Sequence, residues 1–268
     1  MAKRITVKFI GSATDKQDVR LSEFIDQLGG IKKALRENER SVSGEEDVAL
    51  DYKIVDLRHN SPSEMVLEPV PIRPIPKGYE SEVVGGFAKD LRDIRQRGKT
   101  YFEPELNRLQ AYQDIGARKA GQLTSMQISI GRTSVMIDDV FQGKLEKIVG
   151  PDEFMQGSIS GYLEAVNFHN TNRFTVYPNL GPKKVVGKFP AHLRSQVKDA
   201  IGSFVTVEGK LAYKSWAPFA HAIVATEIRL HKPDDQLPTL FDLKGTMPDL
   251  TGKESSVEFI ERIRDEGW

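Results

Sequence analysis

The sequence predicts an α+β protein in three parts: an N-terminal mixed α+β domain over residues 1–150, a small five-stranded β-barrel over 151–231, and a linker and partner-binding tail over 232–268. Three observations carry this prediction. Helical and strand-like periodicities are interleaved through the first 150 residues. Five short alternating runs then follow between Phe154 and Leu230, with one helical pattern between the third and the fourth. Finally, a proline-bounded polar stretch leads into a short amphipathic helix.

In the front part, Ile5 to Ile10 read as a strand, followed by the polar turn GSATDKQD. Leu21, Phe24, Ile25, Leu28, Ile31 and Leu35 recur at helical spacing, with Asp18 or Ser22 placed to cap the start and Gly29-Gly30 placed to kink or break the helix. RENERSVSGEED reads as its exposed exit. DYKIVDLRH and EMVLEPVPI read as strands around the turn NSPSE, and the prolines at 69, 71, 74 and 76 form a stiff crossing that cannot join a central ladder. A helix follows with Val83, Val84, Phe87, Leu91 and Ile94 on one face, capped by Ser81 and closed by Gly98. A further helix begins at Pro104 and runs through Leu106, Leu109 and Ile115. The strands SMQISI and TSVMI flank a tight turn at Gly131-Arg132. Asp138 or Asp139 then caps a helix that ends at Gly150-Pro151.

The barrel runs are MQGSISGYLEAVNFH, RFTVYPN, KKVVGKFP, FVTVEGKLAYK and AHAIVATEIRL, with the helix in AHLRSQVKDAIG. Three strands, a helix and two strands is an order that resembles the OB-fold, a Greek-key barrel that carries oligonucleotides or other ligands on one face. Such a fold does not by itself give a function.

Composition narrows the classes. The 38 basic and 38 acidic residues cancel, so any electrostatic attraction to nucleic acid must be local. The absence of cysteine excludes disulfides, thiolate metal sites and cysteine nucleophiles and fits a reducing cytoplasm. MAKRITVKFI is too short for a signal h-region, and no apolar run approaches the roughly 18 residues of a bilayer span. A cytoplasmic protein with no membrane partner is therefore expected.

Enzymatic motifs fail letter by letter. Gly98-Lys99-Thr100 ends like a P-loop, but Asp93 stands where the first glycine is needed. GSISG has Ile159 in place of the nucleophilic serine. His59, His169, His192, His221 and His231 show no metal-ligand spacing, and Asp138-Asp139 reads more readily as a helix cap than as a metal pair. A hydrolase built on these aspartates has no motif behind it. No enzyme activity and no cofactor are expected.

The barrel is locally basic, with Lys183, Lys184, Lys188, Arg194, Lys198, Lys210 and Lys214 lying between Arg173 and Arg229. Aromatic residues are interleaved among them. Rings that stack bases beside lysines that track phosphates are the chemistry of single-strand binding. Tyr177, Tyr213 and Trp216, which are predicted to face outward, form a candidate nucleic-acid surface with Lys183, Lys184, Lys188, Lys210 and Lys214. Strand alternation must also fill the barrel with large side chains, and this claims about half of the rings. Asn167, His169, Asn170, Asn172 and Arg173 crowd the first hairpin loop, where turn chemistry accounts for the asparagines.

In the tail, Ser255 and Glu258 form a capping box ahead of an apolar stripe of Val257, Phe259, Ile260 and Ile263. DLKGTMPDLTGKESSVEFIERIRDEGW resembles the toxin-binding segment of VapB-like type II antitoxins, the partners of PIN-domain ribonuclease toxins. The resemblance covers about 30 residues, and the α+β domain and barrel before it depart from that family. It implies that Leu240, Phe241, Leu243, Phe259, Ile260, Ile263 and Trp268 fill a groove on a protein toxin. It also implies that Arg262 or Arg264 neutralises the toxin's carboxylates, as a bidentate guanidinium does well. The leading expectation is an antitoxin-like, non-enzymatic binding protein; the alternative is a stand-alone OB-fold protein for single-stranded nucleic acid.

Overall fold

A computed structural model describes residues 4–16, 18–58, 62–116, 123–169, 171–182, 184–232, 242, 251–252 and 254–266. The α+β class holds: helices and strands alternate along the chain, and the strands form two separate sheets. The chain divides into two compact units, Met1–Glu153 with Lys214–Pro218, and Phe154–Tyr213 with Phe219–Trp268. Among the described residues no helix is long and apolar enough to cross a membrane.

The first unit contains β1 (Ile5–Gly11), α1 (Leu21–Ser43), β2 (Leu50–Arg58), β3 (Ser63–Pro71), α2 (Tyr79–Arg97), α3 (Leu106–Asp114), β4 (Leu123–Ile130), β5 (Thr133–Ile137) and α4 (Asp139–Val149). Its sheet runs β2-β3-β1-β4-β5, and every neighbouring pair is antiparallel. Apart from the edge strand β2, the strands alternate because only one face is covered. Ile5, Val7 and Phe9 are buried while Thr6, Lys8 and Ile10 are half-exposed. Phe87, Leu91 and Ile94 of α2, Tyr112 of α3 and Phe141 of α4 complete the core.

Several expectations are corrected here. α1 continues unbroken through Gly29-Gly30 to Ser43. Gly30 is there for proximity, since a Cβ at this position would stand 2.8 Å from the Asp114 carbonyl oxygen at the end of α3. Neither Asp18 nor Ser22 occupies the N-cap position of α1; Arg20 does, and its side chain makes no capping hydrogen bond. Of the charged stretch read as an exposed exit, residues 36–43 still belong to α1 and only 44–47 form the exposed exit; its Glu39 is fully buried, accepting hydrogen bonds from the N–H groups of Ala49 (2.6 Å) and Leu50 (3.1 Å). That carboxylate stitches the helix end to the start of β2. Pro69 and Pro71 do join the sheet, paired with Tyr52 and Leu50 of β2. They are tolerated because β1 pairs with β3 only as far as Leu67, so no neighbour on that side needs their missing N–H.

The second unit contains β6 (Asp152–Asn167), β7 (Arg173–Pro178), β8 (Val185–Lys188), a 3-10 turn at Ala191–Leu193, α5 (Arg194–Asp199), β9 (Phe204–Lys214), β10 (Ala222–Leu230) and α6 (Ser256–Glu266). β6, β7 and β8 form an antiparallel meander. The chain then passes through α5 to β9, and β10 returns to lie parallel to β8 and antiparallel to β9. The strands follow one another as β10-β8-β7-β6-β9, and the sheet closes. Inside lie Leu163, Phe174, Val176, Val185, Phe189, Val197, Val205, Val207 and Ile223. Phe174 stacks on Phe189 with ring centroids 5.8 Å apart. Gly187 makes room for that stack, because a Cβ there would fall 2.0 Å from the Phe174 ring.

Candidate nucleic-acid interface

The strand register places outward side chains of the second unit in rungs. Asn167 of β6 stands opposite Arg173 of β7, Arg173 opposite Lys188 of β8, and Lys188 beside Val224 of β10. The next rung is Ala165, Thr175, Val186 and Ala222, and beyond it Tyr162 faces Tyr177. Arg173 and Lys188 are exposed, and among the described residues neither is ion-paired. Tyr162 and Tyr177 are 41% and 37% exposed, which leaves their rings open to a stacking partner. One face thus carries a cationic rung, an aliphatic rung and an aromatic rung, in that order.

The aromatic rung continues sideways. Tyr162 meets Phe204 edge-on at 5.3 Å, and Phe204 meets His231 at 5.4 Å. His231 Nε2 lies 2.7 Å from Thr206 Oγ1, which lies 2.7 Å from Ser160 Oγ, so a line of polar atoms runs beside the rings. Sequence reasoning missed Tyr162, Phe204 and His231. Their signal was present in the alternation of Tyr162 with buried Leu163 and of Phe204 with buried Val205.

The loop that begins this face is held by its own asparagines. The His169 N–H donates to Asn167 Oδ1 at 2.9 Å, as an Asx turn requires, and Arg194 Nε donates to Asn172 Oδ1 at 2.9 Å. Asn170 and Lys183 lie outside the described residues.

The other predicted surface residues separate. Tyr177 and Lys188 sit on the face, and exposed Lys184 directly precedes β8. Lys210 of β9 is exposed opposite Val224, on the rung of Lys188, and lies 4.3 Å from the Phe154 ring. Three positions are corrected. Tyr213 is half-buried against the inner cluster of the second unit. Lys214 is 8% exposed, pairing with Asp152 at 2.7 Å and donating to the Gly150 carbonyl at 2.8 Å. Trp216 packs against the core of the first unit and donates from Nε1 to the Val149 carbonyl at 3.2 Å. Spacing alone could not reveal the last two, because β9 ends at Lys214 and residues 214–218 belong to the first unit.

In the tail, the Ser255 N–H donates to Glu258 Oε2 at 3.0 Å and the Glu258 N–H to Ser255 Oγ at 3.3 Å, completing the capping box. These bonds hold the Glu258 carboxyl below the usual glutamate range. Val257, Ile260 and Ile263 are 65%, 57% and 39% exposed, while Phe259 is half-buried under the Arg262 guanidinium at 5.2 Å. Arg262 also pairs with Glu254 at 3.2 Å, and Arg264 is exposed. Leu240, Phe241, Leu243 and Trp268 lie outside the described residues.

Asp138 is the N-cap of α4, accepting from the Phe141 N–H at 3.0 Å and from Arg95 Nη1 at 2.5 Å. Among the described residues no three histidine or acidic side chains are grouped to hold a metal ion. The chain matches no protein-family model and no curated protein.

Proposed function

We propose that the second unit is an OB-type module that binds single-stranded nucleic acid across β6, β7 and β8. The reading is supported by the strand order, with a helix between the third and fourth strands and a parallel pairing of the third with the fifth, which resembles the OB-fold, whose second and third strands present the binding face. The observation that carries the reading is the rung of Arg173 and Lys188 set two rungs from the Tyr162–Tyr177 pair. Cations follow the phosphates while the rings stack bases without reading their sequence.

Binding to a labelled oligonucleotide across a salt series tests this. Affinity should fall steeply with salt, and Arg173→Ala and Lys188→Ala should each lower the slope of log K against log salt by about 0.7. Tyr177→Ala should cost about 1–3 kcal/mol with the slope unchanged. No binding at low salt, or binding indifferent to all three substitutions, rejects the assignment.

A second reading rests on α6. A capped helix of 11 residues with an exposed apolar stripe is too short to be stable alone in water and gains stability by docking in a groove. This supports the antitoxin-like role, in which Phe259, Ile260 and Ile263 seat the helix on a PIN-type ribonuclease and Arg264, or Arg262 once released from Glu254, meets its carboxylates. Co-purification with a small ribonuclease encoded beside this chain should be lost when the residues after Pro238 are deleted. Retention by the shortened chain would exclude the tail as the docking element.

A further inference from the structure

We propose that β2 is a self-complementary edge through which two copies of this chain pair antiparallel, joining their first-unit sheets. β2 is the terminal strand of its sheet, nine residues long, whereas the opposite edge strand β5 has five. Ile54, Val55 and Leu57 are 53%, 39% and 57% exposed along it, an apolar edge that soluble proteins ordinarily shield.

The occupant follows from the register. β2 has a bulge at Val55: Ile54 pairs with Leu67 and Asp56 with Val66, leaving one residue extra. Tyr52, Ile54 and Leu57 therefore share the face of buried Leu67 and Met65, while Asp51, Lys53, Asp56 and Arg58 share the open face. Directly opposed residues of an antiparallel pair must lie on the same face. Across a one-residue bulge, only registers in which opposed residue numbers have an odd sum satisfy this condition.

Charge then selects among those registers. In the register centred between Ile54 and Val55, Asp51 faces Arg58 of the second copy, Lys53 faces Asp56, and Tyr52 faces Leu57. Sliding one step one way sets Lys53 against Arg58; sliding one step the other way sets Asp51 against Asp56. The central register alone opposes only unlike charges, and it lays Ile54 and Val55 over each other at the two-fold axis. Asp51, Lys53 and Arg58 are exposed in the single chain; Lys53 pairs there with Glu68 at 2.9 Å and Arg58 with Asp56 at 2.7 Å, surface pairs that the intermolecular contacts would replace.

Sedimentation of the full chain over a wide dilution series tests the pairing. The wild type should reach twice the 30.1 kDa chain mass. Asp51→Arg and Arg58→Asp should each weaken self-association by roughly tenfold or more, because like charges then face each other twice. An equimolar mixture of the two variants should recover the dimer, since each mixed pair restores both unlike contacts. Recovery on mixing also shows that both variants are folded. The exchange is repeated with Lys53→Glu and Asp56→Lys as a second pair. A wild type that stays monomeric, variants that associate as well as the wild type, or mixtures of both pairs that fail to recover overturn the proposal.

Discussion

Arg108→Ala is expected to destabilise the first unit by about 3–5 kcal/mol, the range for breaking a buried ion pair from one side. Arg108 and Asp90 are both fully buried, and Arg108 Nε lies 3.4 Å from Asp90 Oδ2. The guanidinium also donates to Ser41 Oγ on α1 and to the Glu103 carbonyl, and lies 5.1 Å from the Phe102 ring. Asp90 Oδ1 in turn accepts the Tyr101 N–H at 2.6 Å. One arginine therefore ties α1, α2, α3 and the loop before α3 together, and its removal leaves a carboxylate in an apolar setting.

The pH dependence supplies an independent check. Burial raises the Asp90 carboxyl above its ordinary value, and Arg108 opposes that rise. Without Arg108 the folded pKa rises further. Between the unfolded value and this raised one, the folded chain holds a proton that the unfolded chain has lost, so stability falls as pH rises through that window. The deficit of Arg108→Ala should therefore be large at neutral pH and shrink on acidification. Urea unfolding at several pH values measures it, and a deficit below about 1 kcal/mol at neutral pH contradicts the description of this pair. Replacing both partners, as Asp90→Leu with Arg108→Met, should cost less than Arg108→Ala alone.

Gly187→Ala is expected to cost the second unit about 3 kcal/mol, at the upper end for overpacking a core. The added carbon would meet a Phe174 ring that is already stacked on Phe189, and the closed sheet leaves that ring no outward path. Relief comes from shortening the ring: Phe174→Leu in the same chain should recover part of the loss, with a coupling of about 1–2 kcal/mol in a double-mutant cycle. Strict additivity would show that the two positions do not meet. Because Val186 and Lys188 flank Gly187 on β8, the single substitution should also weaken oligonucleotide binding, whereas Phe174→Leu alone should spare it.

The periodicities located most elements within a few residues, including all five strands of the second unit and the helix between its third and fourth strands. The failures share a cause. Glu39, Asp90 and Arg108 are charged residues that tertiary partners make buriable, and a charge run gives no sign of such partners. Gly30 reads as a helix breaker unless the approach of Asp114 is known. On the candidate face, Tyr177 and Lys188 were legible from alternation, but the opposition of Tyr162 to Tyr177 depends on the β6–β7 register and on the bulge between Leu163 and Ala165. Trp216 and Lys214 were misread because a hairpin between two barrel strands was assumed to stay with the barrel.

That hairpin bears on the order in which the chain acquires its structure during synthesis. Residues up to Glu153 leave the ribosome first, yet Trp216, which packs on the first core and bonds to Val149, follows more than sixty residues later. The first unit therefore cannot be completed until most of the second has been made. A fragment ending at Glu153 would lack the indole that belongs to its core, and release of residues 214–218 would leave that core open while the chain remained covalently whole.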